Sequence, residues 1–405
     1  MPQQVVPRSA EELREIVAWA AAEATPLEIQ GAGSKRAYGR PVEATMLVAL
    51  DGLSGIGLYE PAELVMSAKA GTPLAEIEAR LAENQQQLPF EPPDYGALLG
   101  GQPGRATIGG VLACNLSGPR RIKAGAARDH FLGVQAVTGR GELIKSGGRV
   151  VKNVTGYDLC KLLAGSFGTL AAMTEVTFKV LPAPEDARTL VLEAPDRVAA
   201  FAALRAAMAS ACDVAGAAYV PAAAVKRCKV APLTGAATDV ALLRLEGQTP
   251  SVRYRADRLK ALLGADGAIA ELDAADGRAA WREVRDVALL PEGAPLWRLS
   301  VPPAAGAPFL DALERALQLE WLADWAGGLL WLAVHGAEDA GAGAIRAALA
   351  GPGGHATLIR GSAAVRAAVP VFQPQEPTLA RLSARVKASF DPKRILNRGR
   401  MYPDA

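Results

Sequence analysis

Between Leu88 and Arg121 the chain shows little hydrophobic period, and glycines and prolines interrupt it every few residues. So long an irregular stretch within a compact domain is uncommon unless its backbone is in use. Small residues let a bound molecule approach main-chain N–H and C=O groups closely. The flanking segments must therefore supply the rigid layers that hold this stretch in shape.

Those segments are more regular. Residues 9–24 read as a helix, with Ser9 and Glu12 as a capping box, Leu13, Ile16 and Val17 on one face, and Pro26 as the stop. Leu27-Glu28-Ile29 is a short strand that runs straight into Gly31-Ala32-Gly33-Ser34-Lys35. A second apolar run, Met46 to Leu50, ends at Asp51-Gly52, and Leu64 to Lys69 alternates as a strand. Gly71-Thr72-Pro73 opens a helix with Thr72 as cap, Pro73 at its first position and Leu74, Ile77 and Leu81 along one stripe. Val134–Val137 and Gly139–Ile144 suggest a hairpin. From Glu175 to Leu181, Val176, Phe178 and Val180 face one way while Glu175, Thr177 and Lys179 face the other. Pro182 and Pro184 stop that strand and mark a boundary. A last helix covers Thr378–Phe390, with Leu379, Leu382, Val386 and Phe390 on one side, and Asp391-Pro392 ends it. At roughly 150 residues per domain, 405 residues allow two or three domains. The expected division is 1–182, 183–375 and a C-terminal segment, 376–405. No internal repeat stands out.

Composition excludes several classes. With 50% apolar and 21% charged residues the chain is not a disordered tail. Lysine plus arginine is 44 and aspartate plus glutamate 42, a balance of +2 that leaves no footprint for nucleic acid. Cys114, Cys160, Cys212 and Cys228 form no C-x-x-C pair, and three histidines are scattered, so no metal or iron–sulfur site is expected within the chain. The cysteines read as buried thiols of a reducing cytoplasm. The first residues carry no apolar signal-peptide core, and no run of about 18 uncharged apolar residues suits a membrane span.

Four blocks carry the chemistry. Gly31-Ala32-Gly33-Ser34-Lys35, delivered by a strand, is a backbone nest suited to a diphosphate. It is neither a Walker loop nor a Rossmann fingerprint, because Arg36 stands where the third glycine belongs. Thr107-Ile108-Gly109-Gly110, followed by Asn115 and Gly118, offers close approach and side-chain hydrogen bonds to phosphate or ribose. Lys152–Leu159 with Gly165-Ser166-Phe167-Gly168 is the third block, and Phe390–Arg400, containing Asn397, is the fourth. Read singly, each loop is equally a surface turn or a packing feature.

In this order the blocks resemble the FAD-binding domain of the vanillyl-alcohol oxidase and p-cresol methylhydroxylase (PCMH) superfamily. Within it, they are most similar to the FAD-binding (E) subunits of bacterial glycolate oxidases. The strongest part is RATIGGVLACNLSGPRR through GGRVVKNVTGYDLCKLLAGSFGTLAAMTEVTFKV, and the ending FDPKRILNRGRM supports it. The resemblance covers residues 1–182 and 376–405 well and the middle loosely. It implies an α+β fold: a PCMH-type FAD-binding domain of two α+β subdomains, with a second α+β domain as cap. It assigns Gly31, Ala32, Gly33, Ser34 and Lys35 to the pyrophosphate loop, and Thr107, Gly109, Gly110, Asn115 and Gly118 to the diphosphate and ribityl region. Gly165, Gly168 and Val176 would pass close to FAD, and Asn397 would return to the flavin edge.

Three departures from the family pattern matter. The first loop holds Ser34, Lys35 and Tyr38 but no histidine, so FAD is expected to be non-covalent. In the cap, relatives carry a His-rich H-x-G-D-G-N-x-H type segment, whereas this chain has only Val334-His335-Gly336-Ala337-Glu338-Asp339. His335 is the candidate general base, and a histidine satisfied at a strand end is the other reading. His130 and His355 read as structural and loop residues. Arg120, Arg121 and Arg128 are candidates for a substrate carboxylate. Lys393, Arg394, Arg398 and Arg400 form a basic cluster, and Arg398 replaces the proline that usually follows the asparagine.

The resemblance implies an FAD-binding subunit of a glycolate oxidase (glycolate dehydrogenase) complex that oxidises glycolate, a small 2-hydroxy acid, to glyoxylate. Its expected partners are a second FAD-containing subunit and an iron–sulfur subunit. The expected location is cytoplasmic, peripheral at the inner membrane through those partners, with no direct span. Two alternatives are a stand-alone FAD-dependent 2-hydroxy-acid or alcohol dehydrogenase, and a non-catalytic assembly subunit with a vestigial flavin fold.

Overall fold

Ser9 starts the first helix, Ala10–Ala22, by accepting the Glu12 N–H on its Oγ at 3.1 Å. The Glu12 carboxylate completes the turn one residue upstream, taking the Arg8 N–H at 2.7 Å, so half of the expected capping box forms. This chain is described from a computed structural model that covers residues 3–150, 156–194, 196–264 and 270–403. Lys152-Asn153-Val154-Thr155 of the third block lie outside the described residues.

The chain forms two compact units. The first takes residues up to Ser117, Gly125–Ala183, and Pro374 onward. Its smaller sheet has the strand order Gln3–Val5, Met46–Ala49, Leu27–Gln30, with parallel neighbours. Leu13, Val17 and Ala20 of the first helix pack in one core with Leu27, Ile29 and Val48 of this sheet. The larger sheet is antiparallel, in the order Ile56–Glu60, Val65–Lys69, Ala171–Lys179, Phe131–Thr138, Leu143–Gly147. The expected hairpin is its last pair. Val176, Phe178 and Val180 are buried and Glu175 is exposed, as the alternation requires, although Thr177 is buried too, sharing a hydrogen bond with Ser67.

One expected cap differs. The helix Leu74–Ala82 buries Leu74, Ile77 and Leu81, but it starts after Pro73 with no side-chain cap. Thr72 is fully buried, and its hydroxyl donates to Lys69 O (2.7 Å) and accepts the Gly55 N–H (3.0 Å). That hydroxyl is consumed in tying two loops together and cannot also serve the helix.

The C-terminal segment is built into this unit by a buried ion pair. Pro377–Phe390 forms a helix whose buried side chain is Lys387, while Leu379 and Leu382 lie exposed. Lys387 Nζ donates to Thr169 O (2.6 Å), Leu396 O (2.9 Å) and Asp391 Oδ2 (2.8 Å). Asp391 is completely buried and accepts the N–H groups of Ile395 (3.0 Å) and Leu396 (2.8 Å). Burial pulls the lysine pKa down and Asp391 pulls it back. The turn so formed lays Ile395–Asn397 along Leu27: Leu27 N donates to Ile395 O at 2.7 Å and Asn397 N to Leu27 O at 3.0 Å. Ile395 and Leu396 thereby join the core of the first helix.

The second unit comprises Gly118–Ala124 and Pro184–Gln373. Its eight-stranded antiparallel sheet runs Ala270–Leu272, Asp186–Glu193, Val240–Gly247, Gly216–Val220, Gln318–Asp324, Leu329–His335, Leu296–Ser300, His355–Arg360. Helices that include Arg197–Ala209, Ala274–Arg285 and Gly306–Ala316 bury apolar faces in this unit. The architecture is α+β throughout. No helix among the described residues is long and apolar enough to cross a membrane.

Removing one member of a buried ion pair leaves the other charge uncompensated, at a cost of about 3–5 kcal/mol. Asp391→Ala therefore lowers the unfolding free energy of the first unit, measured by urea titration, by that amount. Lys387→Met/Asp391→Ala recovers part of the loss, because no lone charge remains.

Candidate functional site

The strand Leu27–Gln30 delivers the glycine loop, and a buried carboxylate holds that loop from behind. Glu28, 3% exposed, receives Arg36 through both carboxylate oxygens (2.8–3.1 Å) and Arg400 Nη2 at 2.8 Å. Arg400 Nη1 also donates to Arg36 O at 2.7 Å, and Arg40 N donates to Arg400 O at 2.9 Å. The loop is thus braced at Arg36 by charge-assisted hydrogen bonds and at Arg40 by a backbone one. Within the loop Arg36 N closes a turn on Gly33 O at 3.0 Å, and Gly33 has φ +80°, a conformation that favours glycine.

Facing the loop is the turn Thr107-Ile108-Gly109-Gly110. Thr107 caps the short helix Ile108–Ala113 through Gly110 N–H. Gly31 sits so close to the Thr107 hydroxyl that any β-carbon would collide with it, and a β-carbon on Gly109 would lie 2.7 Å from Ala70. The third wall is Phe167-Gly168 and the strand start Ala171-Ala172-Met173. Asn397 closes the site. Its Oδ1 accepts Ile29 N–H (2.7 Å), and its Nδ2 donates to Ile29 O (3.1 Å) and Phe167 O (2.8 Å). The Tyr38 ring packs edge-on against Phe167 at 4.9 Å.

These walls line a cavity within the first unit that is open to solvent. Gly31, Ala32, Gly33, Ser34, Lys35, Thr107, Gly109, Gly110, Gly168 and Asn397 line it. Asn115, Gly165, Val176 and Gly118 do not. Asn115 (φ +49°) accepts Arg128 N–H at 3.0 Å and fixes a turn. Gly165 N binds Leu112 O at 3.2 Å. Val176 is fully buried in mid-sheet, its neighbours being Ala68 and Val134. Gly118 belongs to the second unit, where its carbonyl accepts Trp325 Nε1 at 3.2 Å.

Residues not singled out in sequence also line the cavity: Gln30, Cys114 and Met173. Arg400 proves to be the member of the basic cluster that reaches the site. The available signal was Glu28, a carboxylate inside an apolar strand that requires a buried cation. Burial pushes the Cys114 thiol up to about 11, against the pull of Lys35 and Arg400, so it is protonated at neutral pH.

The other histidines and arginines lie elsewhere. His130 is buried beside Phe90. His335 ends the strand Leu329–His335 in the second unit, with Nε2 3.4 Å from Glu320 Oε1, a carboxylate shared with Arg227 at 2.7 Å. Arg120 is committed to Glu246 at 2.6 Å.

The cavity fits a dinucleotide flavin. Gln30 Oε1 is buried in its wall without a hydrogen-bond partner. Lys35 Nζ meets the Ser34 hydroxyl at 3.0 Å, and desolvation pulls the amine below its ordinary range, a state that an anion beside it would relieve. Lys35 and the loop amides would hold a diphosphate, and Asn397 and Gly168 stand at the far wall. Residues 2–147 match the FAD binding domain family. This is an FAD-linked oxidoreductase with the fold of the PCMH group: p-cresol methylhydroxylase superposes with a TM-score of 0.72 over 99% of this chain and 88% of that one, at 14% identity. The chain is 37% identical to glycolate oxidase subunit GlcE of Escherichia coli K12, over 97% of each protein. It is 31% identical to glycolate oxidase subunit GlcD of Bacillus subtilis over 47% of this chain and 39% of that one. The chain belongs to the GlcE family of glycolate oxidase subunits.

Asn397→Asp keeps the acceptor for Ile29 N–H but deletes both donors and sets a charge against two carbonyls. It should retain about tenfold less flavin after gel filtration, given about 1–3 kcal/mol for each carbonyl left unpaired. The ratio of visible to ultraviolet absorbance measures this directly.

Proposed function

We propose that this chain is the FAD-binding subunit of a glycolate oxidase (glycolate dehydrogenase) complex that oxidises glycolate to glyoxylate. Its partners are a second FAD-containing subunit and an iron–sulfur subunit, and it works in the cytoplasm, held peripherally at the inner membrane by them. The observation that carries this reading is the braced glycine-loop cavity, in a chain related to GlcE along almost its whole length. FAD supplies the acceptor for the hydride that leaves the substrate carbon. The chain's own contribution is to hold the diphosphate with Lys35 and the loop amides, to exclude water from the cavity with Tyr38, Phe167 and Met173, and to fix the C-terminal strap with Asn397.

The hydroxyl proton of glycolate requires a base. His335 is not among the residues that line the cavity, which supports the reading that this proton is taken in a partner subunit. The experiment is anaerobic addition of glycolate to the purified chain. Bleaching of the flavin assigns the oxidation to this chain. Flavin that bleaches with dithionite but not with glycolate assigns it to a partner. Absence of flavin overturns the proposal.

Two further outcomes follow. Gly33→Asp puts an anion where the diphosphate binds and removes flavin, whereas a vestigial site would be indifferent. Acid precipitation releases all flavin from the wild-type polypeptide, since the loop offers no histidine and the Cys114 thiol is protonated.

A further inference from the structure

The strand Leu27–Gln30 presents its side chains alternately. Leu27 and Ile29 enter the core of the first helix, and Glu28, on the opposite side, is taken up by Arg36 and Arg400. Gln30 follows Glu28 on that same side and ends the strand, one residue before the glycine loop. Its backbone is fixed from two directions. It pairs with Ala49 in the sheet, and Gly31 after it is pressed against the Thr107 hydroxyl. Its carboxamide lies against Gly33, where a β-carbon would stand 3.4 Å from Oε1 and 3.6 Å from Nε2.

The side chain lines the cavity, yet Oε1 is buried and accepts no hydrogen bond. Of the buried side-chain polar atoms left without a partner among the described residues, it is the one whose residue belongs to the cavity wall. Asn397, the other carboxamide in that wall, spends both of its polar atoms on Ile29 and Phe167. Withdrawing an amide oxygen from water with no replacement bond destabilises a fold, so an atom of this kind points to a ligand that supplies the donor.

That donor has a definite chemistry. A glutamine Oε1 only accepts. A diphosphate at neutral pH presents acceptor oxygens, so the phosphates that Lys35 and the loop amides would hold cannot satisfy it. The groups joined directly to the diphosphate of FAD carry hydroxyls: the ribityl chain on one side and the adenosine ribose on the other. Gln30 adjoins the phosphate loop, so a hydroxyl of one of these is the donor within its reach. The carboxamide ends in a torsion with a broad minimum and turns toward that hydroxyl without moving the strand.

We propose that Gln30 accepts a hydrogen bond from a sugar hydroxyl beside the diphosphate of the flavin dinucleotide. The assignment rests on the flavin reading of the cavity and adds to it a contact that recognises the sugar rather than the phosphate.

The test is titration of the flavin-free full chain with FAD, followed by quenching of flavin fluorescence, for wild type and for Gln30→Met, a side chain of similar length with no acceptor oxygen. It is repeated with two analogues, one built on dideoxyadenosine and one whose ribityl chain lacks its secondary hydroxyls. Gln30→Met binds FAD about tenfold more weakly, the loss of one buried hydrogen bond. One analogue loses a similar factor against wild type and nothing further against Gln30→Met, and that analogue identifies the source of the hydroxyl. The urea midpoint of flavin-free Gln30→Met lies at or above that of wild type, because an unmatched buried acceptor has been removed. FAD binding by Gln30→Met within twofold of wild type overturns the assignment. Analogue losses that are equal in the two proteins also overturn it, since the carboxamide then serves the phosphates. A lower urea midpoint for flavin-free Gln30→Met makes the residue a packing element and overturns it as well. Wild type that binds no FAD overturns the flavin reading itself, whereas tight and equal binding by both proteins overturns only the role of Gln30.

Discussion

The contact between Lys387 and Asp391 fixes where the C-terminal segment runs in the first unit. Neither charge reaches water, so each must be satisfied by the other and by main chain. Between them they engage the carbonyls of Thr169 and Leu396 and the amides of Ile395 and Leu396. That set of bonds has one solution: the chain must turn after the last helix and run along Leu27. A pair of apolar residues would bury as well but would leave the path of the strap open.

A second buried carboxylate converts that path into a binding site. Glu28 does not line the cavity, yet it holds both the loop, through Arg36, and the strap, through Arg400. The loop therefore stands ready with its amides unsatisfied by its own side chains, and little ordering remains to be done when a ligand arrives. Rigidity at the back and small residues at the front are two halves of one arrangement. Gly31 and Gly109 give close approach, and the ion pairs prevent the collapse that such small residues would otherwise permit.

Much of this was legible in the sequence, for reasons that differ by residue. Strand alternation at Val176, Phe178 and Val180 and the stripe Leu74, Ile77, Leu81 are local patterns, and local patterns survive folding. The glycine loop was singled out because its residue types serve backbone geometry and Asn397 through the resemblance, and the structure brings both to one cavity with Thr107. The roles of Thr72, Gly118 and Val176 were not legible, because each was decided by a distant neighbour: the loop at Gly55, the indole of Trp325, the strands on either side. The exposure of Leu379 and Leu382 with the burial of Lys387 inverts what a hydrophobic stripe suggests, since the helix is held by an ion pair rather than an apolar face.

The strap has a consequence for how the molecule comes into being. Asn397 and Arg400 complete a cavity whose other walls lie between residues 29 and 173. A ribosome releases those walls first, so the growing chain carries a half-built site with Leu27 N–H and the Glu28 carboxylate lacking their final partners. The nucleotide cannot be captured fully until translation is almost finished. A flavin held by Asn397 and Arg400 would thus load late in the life of the polypeptide.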